Sequence, residues 1–133
     1  MLIWVGFTRP RLFNYNKISM TKTNRQPTIE TERLILRPFR PEDAPDLQRL
    51  IGEREIAATT ASIPHPYEDG MAEEYIGRRQ EHYDAGKGVH FAITRRDGAF
   101  VGGISLDVEH ETDESMQLGY WIGKPYWSQG YCT

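Results

Sequence analysis

Between Val89 and Ile122 the apolar side chains recur at every second position, a period that belongs to strands and excludes a helix. Val89, Phe91 and Ile93 alternate with His90, Ala92 and Thr94. Asp97-Gly98 is a dipeptide that two-residue hairpin turns favour, and Phe100, Gly102, Ile104, Leu106 and Val108 alternate on the return. The polar run from His110 to Ser115 makes a second turn, and Met116, Leu118, Tyr120 and Ile122 form the face of a third strand. A three-stranded antiparallel meander is therefore built into the second half of the chain.

Upstream the pattern differs. Glu32 to Phe39 reads as a strand, with Leu34, Ile35 and Leu36 between Arg33 and Arg37 and Pro38 closing it. Asp43 is placed to cap a helix, with Pro45 in its first turn and Asp46 completing a capping box. Leu47, Leu50 and Ile51 then share one face before Gly52. Ile63-Pro64-His65-Pro66-Tyr67 cannot be helical and predicts an ordered loop. Ala72, Tyr75, Ile76, Arg79 and Tyr83 lie at helical spacing, predicting one helix over 69–84 that Gly86 and Gly88 stop. Strand, two helices and meander make an α/β (α+β) layout with a mixed, mostly antiparallel sheet.

Length and charge bound the function. The 133 residues suffice for one small domain, or a domain and a tail. One cysteine, Cys132, excludes an internal disulfide framework and a multi-cysteine zinc site, and fits a reducing, cytoplasmic compartment. The apolar runs are too short to span a membrane, so no membrane partner is expected. Residues 1–29 carry Arg9, Arg11, Lys17, Lys22 and Arg25 without an acid, which reads as a flexible basic extension. A transit peptide, a nucleic-acid arm, or sequence ahead of a later start at Met20 fits the same composition. Residues 30–133 hold the other 11 basic residues and all 19 acidic ones. An acidic body disfavours a nucleic-acid partner and favours an amine or other cation.

The last strand runs into Gly123-Lys124-Pro125-Tyr126-Trp127-Ser128-Gln129-Gly130-Tyr131-Cys132-Thr133. Upstream stand Thr31-Glu32-Arg33-Leu34-Ile35-Leu36-Arg37-Pro38, Pro41-Glu42-Asp43-Ala44, Phe100-Val101-Gly102-Gly103-Ile104 and Leu118-Gly119-Tyr120-Trp121-Ile122. In that order, residues 30–133 resemble the GNAT superfamily of acyl-CoA-dependent N-acetyltransferases, closest to its ribosomal-protein N-acetyltransferase (RimJ/RimL-like) branch. The terminal stretch resembles that branch's version of the Q/R-x-x-G-x-G/A loop. Trp127 takes the first motif place, where the superfamily often has Gln or Arg, and Cys132 the last, small-residue place.

The resemblance implies acetyl-CoA as cosubstrate and direct attack of a primary amine, of a small molecule or a protein N-terminus, on the thioester. The pantetheine arm would pair with the last strand near Trp121, Ile122 and Gly123, with the Trp121 N–H binding the thioester oxygen. Trp127, Ser128, Gln129, Gly130, Tyr131 and Cys132 would hold the diphosphate, because glycine permits close approach and successive N–H groups turn inward. No protein nucleophile is needed, so Cys132 reads as a small packing residue.

No catalytic base is identified. Gln117 occupies a place where some relatives carry Glu, and Glu109, His110 and Glu111 are candidates acting through water or residues of a solvated turn. His65, His82, His90 and His110 show no metal-ligand spacing, so no metal is expected. His65 and Tyr67 are candidates for the acceptor pocket. Arg78-Arg79 and Arg95-Arg96 read as solvated, with cofactor phosphates as the alternative partner.

The same resemblance calls for a phosphate-binding helix starting at Thr133 and a further strand beyond it. Residues 30–133 thus read as a partial domain, C-terminally truncated and of negligible activity alone, whose open last strand invites self-association. The alternative is a non-catalytic acyl-CoA-binding or protein-interaction remnant using that edge.

Overall fold

The alternating segments pair as the period requires. In the computed structural model, which describes residues 5–8 (backbone), 26–58, 63, 66–108 and 115–132, β4 (Gly88–Arg95), β5 (Phe100–Val108) and β6 (Ser115–Ile122) form the meander. Ala92 faces Gly103 and Gly103 faces Trp121 across the three strands. β3 (Leu34–Pro38) adds antiparallel to β4, and the two-residue β2 (Ile29–Glu30) adds to β3. A further strand, β1 (Val5–Thr8), pairs with the outer side of β6 over Ser115–Leu118. The sheet order is β1-β6-β5-β4-β3-β2.

Two expectations about the chain's first part change here. The 1–29 segment contains a sheet strand, and Gln26 is buried with its side-chain amide donating to the His90 carbonyl at 2.7 Å. The outer edge of β6 is consequently open over Gly119–Ile122 only, with no described strand beside it.

Between β3 and β4 run a 3-10 turn (Pro41–Asp43), α1 (Ala44–Ile51), α2 (Arg54–Ala58), α3 (Met71–Gly77) and α4 (Arg79–Asp84). The single helix predicted over 69–84 is broken at Arg78, directly after Gly77, where the backbone sits at φ −89° and ψ −8°. A glycine at the end of α3 lowers the cost of that break. Leu47 and Leu50 of α1 and Ile56 of α2 are fully buried, and this layer packs on Ala92, Phe100 and Trp121 of the sheet.

Phe100 belongs to that layer although simple alternation aligns it with Gly102 and Ile104. The register between β4 and β5 shifts at Ile93/Thr94, so Thr94 faces Phe100 while Ile93 faces Gly102. A bulge turns neighbouring residues to one side, and Val101 packs on the opposite face with Leu34, Ile93 and Ile122.

Asp43 does not cap α1. Its carboxylate takes both Arg37 Nη groups, at 2.7 and 2.8 Å, and the Arg40 backbone N–H at 2.8 Å. The two side chains are 14% and 7% exposed, so the pair fastens the end of β3 to the start of the helical layer in a poorly hydrated place. Removing one member strands the other charge, a loss of about 3–5 kcal/mol. Asp43→Ala is expected to lower the unfolding free energy by that order in urea titrations, and Arg37→Met combined with Asp43→Leu to recover much of it.

Candidate functional site

The face of the sheet under the helices is floored by small residues. Gly103, Ser105 and Gly119 lie between His90 and Asp107 at one end and Trp121 at the other. Helices packed on such a floor cannot touch it everywhere, and a cavity of about 520 Å³ remains. Ile51, Ile63, Tyr67, Met71 and Tyr75 wall it. Tyr67, a candidate from the sequence, is thus a lining residue, its phenol pushed up by burial. His65, Glu109, His110 and Glu111 lie outside the described residues.

At the Trp121 end the indole lies across Gly103, where a Cβ would stand 2.8 Å from its Nε1. At the other end is a polar cluster that sequence spacing did not reveal. Asp107 Oδ1 accepts from Nε2 of His82 at 3.0 Å and of His90 at 2.7 Å. His90 Nδ1 is 2.8 Å from the Tyr75 hydroxyl. Burial pushes the Tyr75 phenol up to about 12 against the opposing charge of Arg79, so it keeps its proton. For Asp107, burial raises its carboxyl, but hydrogen bonds from His90, His82 and Ser105 outweigh that and hold it below the usual range. The four histidines are scattered in sequence, and the fold brings two of them to one carboxylate.

The cofactor residues expected on the last strand divide by direction. The Gly123 N–H donates to the Val101 carbonyl at 2.8 Å, so this amide is not free for a ligand. Strand amides two residues apart point the same way, which turns the Trp121 N–H toward β5 as well. The Trp121 N–H expected to meet the thioester oxygen thus faces β5, and Ile122 and Tyr120 point to the outer edge. The Ile122 carbonyl accepts from the Trp127 indole N–H at 2.6 Å, leaving the Ile122 N–H as a donor on the open edge.

Beyond a 3-10 turn at Lys124–Tyr126, Trp127 packs against both core layers and Tyr131 against the layer on the sheet face away from the helices. The 127–132 loop is not a hairpin. Ser128 and Gly130 adopt positive φ, 61° and 77°, and Gln129 between them does not. Alternating handedness of this kind makes a concave row of N–H groups. Arg33, which sequence reasoning passed over, fixes the loop from behind. Its Nη groups donate to the Gln129 and Gly130 carbonyls at 2.8 and 2.9 Å, and it stacks on Tyr131. Cys132 is exposed and borders an apolar groove of about 400 Å³ with Leu34, Leu36 and Tyr120. Neither arginine pair reaches this loop: Arg78 pairs with Glu74, Arg79 lies on Tyr75, Arg95 holds Asp97, and Arg96 binds the Thr31 and Glu32 carbonyls.

The Trp121 position depends on Gly103, so Gly103→Ala is expected to push the indole into the cavity. Overpacking of this kind costs about 1–3 kcal/mol. Denaturant midpoints and the tryptophan emission of the variant measure both effects.

The model of the acetyltransferase (GNAT) domain family matches residues 33–133. Among solved structures, a Vibrio cholerae protein with the proposed activity of a ribosomal-protein-serine acetyltransferase superposes with a TM-score of 0.63 at 23% identity. An acetyltransferase from Agrobacterium tumefaciens gives 0.62 at 20%. In both cases 80% of this chain is covered and 60% of the other, so the chain spans about three fifths of their length. A match over three quarters of the sequence, on a sheet and helical layer of the same arrangement, establishes that the chain belongs to the GNAT acetyltransferase domain family.

Proposed function

We propose that the protein moves an acetyl group from acetyl-CoA to a primary amine by direct attack on the thioester. The observation that carries this reading is the open stretch of β6. Gly119–Ile122 lies between the cavity on the helical face and the amide-rich loop whose Tyr131 packs on the opposite face. A thioester arm laid along this edge would meet the Ile122 N–H, and its diphosphate the amides of Ser128–Cys132. The amine would enter from the cavity beside Trp121.

The acceptor class follows from what surrounds Trp121. Ile51, Ile63, Tyr67, Met71 and Gly103 carry no carboxylate; of the two that line the cavity, Glu74 is ion-paired with Arg78 and Asp107 lies four strand residues from Gly103, about 13 Å away. An amine attacking there must arrive mostly neutral. An α-amino group with its ordinary pKa near 8 is about one-tenth neutral at pH 7, against roughly four parts in ten thousand for a lysine. Protein N-termini and similarly acidic small amines are therefore preferred over lysine side chains. The Vibrio cholerae relative's ribosomal-protein assignment agrees with a protein N-terminus.

Among the described residues only β6 flanks the thioester edge. The same one-sided edge favours, as a second reading, a binding module without catalysis, and it leaves Gly119–Ile122 available for pairing between copies. No described helix is long and apolar enough to cross a membrane, and the exposed single thiol suits a cytoplasmic setting.

Calorimetry with acetyl-CoA is expected to show one-to-one binding, weakened about tenfold in Arg33→Gln, which loses two charge-assisted contacts to the loop. No binding would end the acyl-CoA reading. In acetylation assays, peptides with a free N-terminus should outpace N-blocked lysine peptides. A lysine-only profile would refute the acceptor assignment.

A further inference from the structure

We propose that His82, His90 and Asp107 form a binding site for a divalent transition metal at the end of the cavity remote from Trp121. The three residues come from α4, β4 and β5, and their donor atoms lie within 4.8 Å of one another. Both imidazole Nε2 atoms already converge on one carboxylate oxygen, at 3.0 and 2.7 Å. Ligands around a first-row metal with bonds near 2.0–2.1 Å stand about 3 Å apart, so only small movements are required. Two imidazoles and one carboxylate suit zinc, cobalt, nickel or iron(II) and not the all-oxygen demands of calcium or magnesium.

The surroundings support ligation. All three residues are partly buried, and His90 and Asp107 line the cavity, which leaves coordination positions open to water or a small ligand. Binding through Nε2 moves each ring proton from Nε2 to Nδ1, so no proton need leave the protein. In His90 that Nδ1–H then donates to the Tyr75 oxygen at 2.8 Å, the outer hydrogen bond that metal-bound histidines commonly make.

Arg79 opposes the ion. Its Nη1 stands 3.2 Å from Nδ1 and 3.1 Å from Nε2 of His90. A position equidistant from both nitrogens lies along neither lone pair, so it does not block Nε2. Its charge does weaken attraction for a dication. Removal of this charge therefore tightens binding. α4 contributes no fully buried residue to the core, so an ion joining His82 to β4 and β5 also fastens this helix to the sheet.

Zinc and cobalt titrations of the purified, tag-free full chain test the proposal by calorimetry and by the visible absorption of bound cobalt. One saturable site is expected, together with a raised melting temperature. His82→Gln, on a solvent-facing helix, and Asp107→Asn should each weaken binding by about tenfold or more. Arg79→Gln should strengthen it several-fold. Absence of saturable binding, or binding indifferent to His82→Gln, would overturn the site even if Asp107→Asn fails to fold.

Discussion

The close approach of β5 to β6 at Gly102 and Gly103 is the constraint on which the rest of the site depends. A Cβ on Gly102 would meet the Trp121 carbonyl oxygen at 2.1 Å, and one on Gly103 would meet the Trp121 indole at 2.8 Å. With two hydrogens in place of side chains, β6 keeps its register through Ile122 and the indole lies close against Gly103 of the neighbouring strand. That register turns the Ile122 N–H to the open edge and the Trp121 N–H inward. It also sets the end wall of the cavity. Gly123 extends the same economy of space, since its missing Cβ would come within 2.9 Å of Leu50 on α1.

The two faces of the sheet are covered by different means. Helices cover the face of small residues, and the mismatch leaves a cavity. The apolar face of Ile93, Ile104 and Ile122 is covered in part by Trp127 and Tyr131 from the terminal loop. Polar contacts do the fastening where apolar ones are few. Arg37 and Asp43 tie β3 to the helical layer, the cluster around Asp107 ties α4 to the meander, and Arg33 ties the loop to the strand beside it. The Asp107 cluster and Arg33 join elements distant in sequence, and the Arg37–Asp43 pair places charge where water is scarce enough for geometry to matter.

Much of the framework was legible because it rests on local periodicity. The meander, its Asp97-Gly98 turn and the strand at Leu34–Pro38 follow from alternation and turn chemistry. The break at Arg78 escaped the spacing of Tyr75, Ile76 and Arg79, because a single glycine does not by itself signal one. The shift at Ile93/Thr94 escaped alternation, since a bulge inserts a residue without changing composition. Asp43 sits where a cap belongs, yet a nearby buried guanidinium is a stronger partner than the helix amides, and only the fold brings Arg37 within reach.

Residue order alone determined the strands from Leu34 onward, the helical layer between them and the glycine-bearing loop after the last strand. These depend on period, turn residues and spacing over a few neighbours. Tertiary structure alone decided which amides of Tyr120–Gly123 face outward, and that His82, His90 and Asp107 meet. It also decided that an early segment closes half of β6. The reason is physical: backbone direction at an edge and contacts between distant side chains are set by strand register and packing, and neither leaves a local mark in the chain.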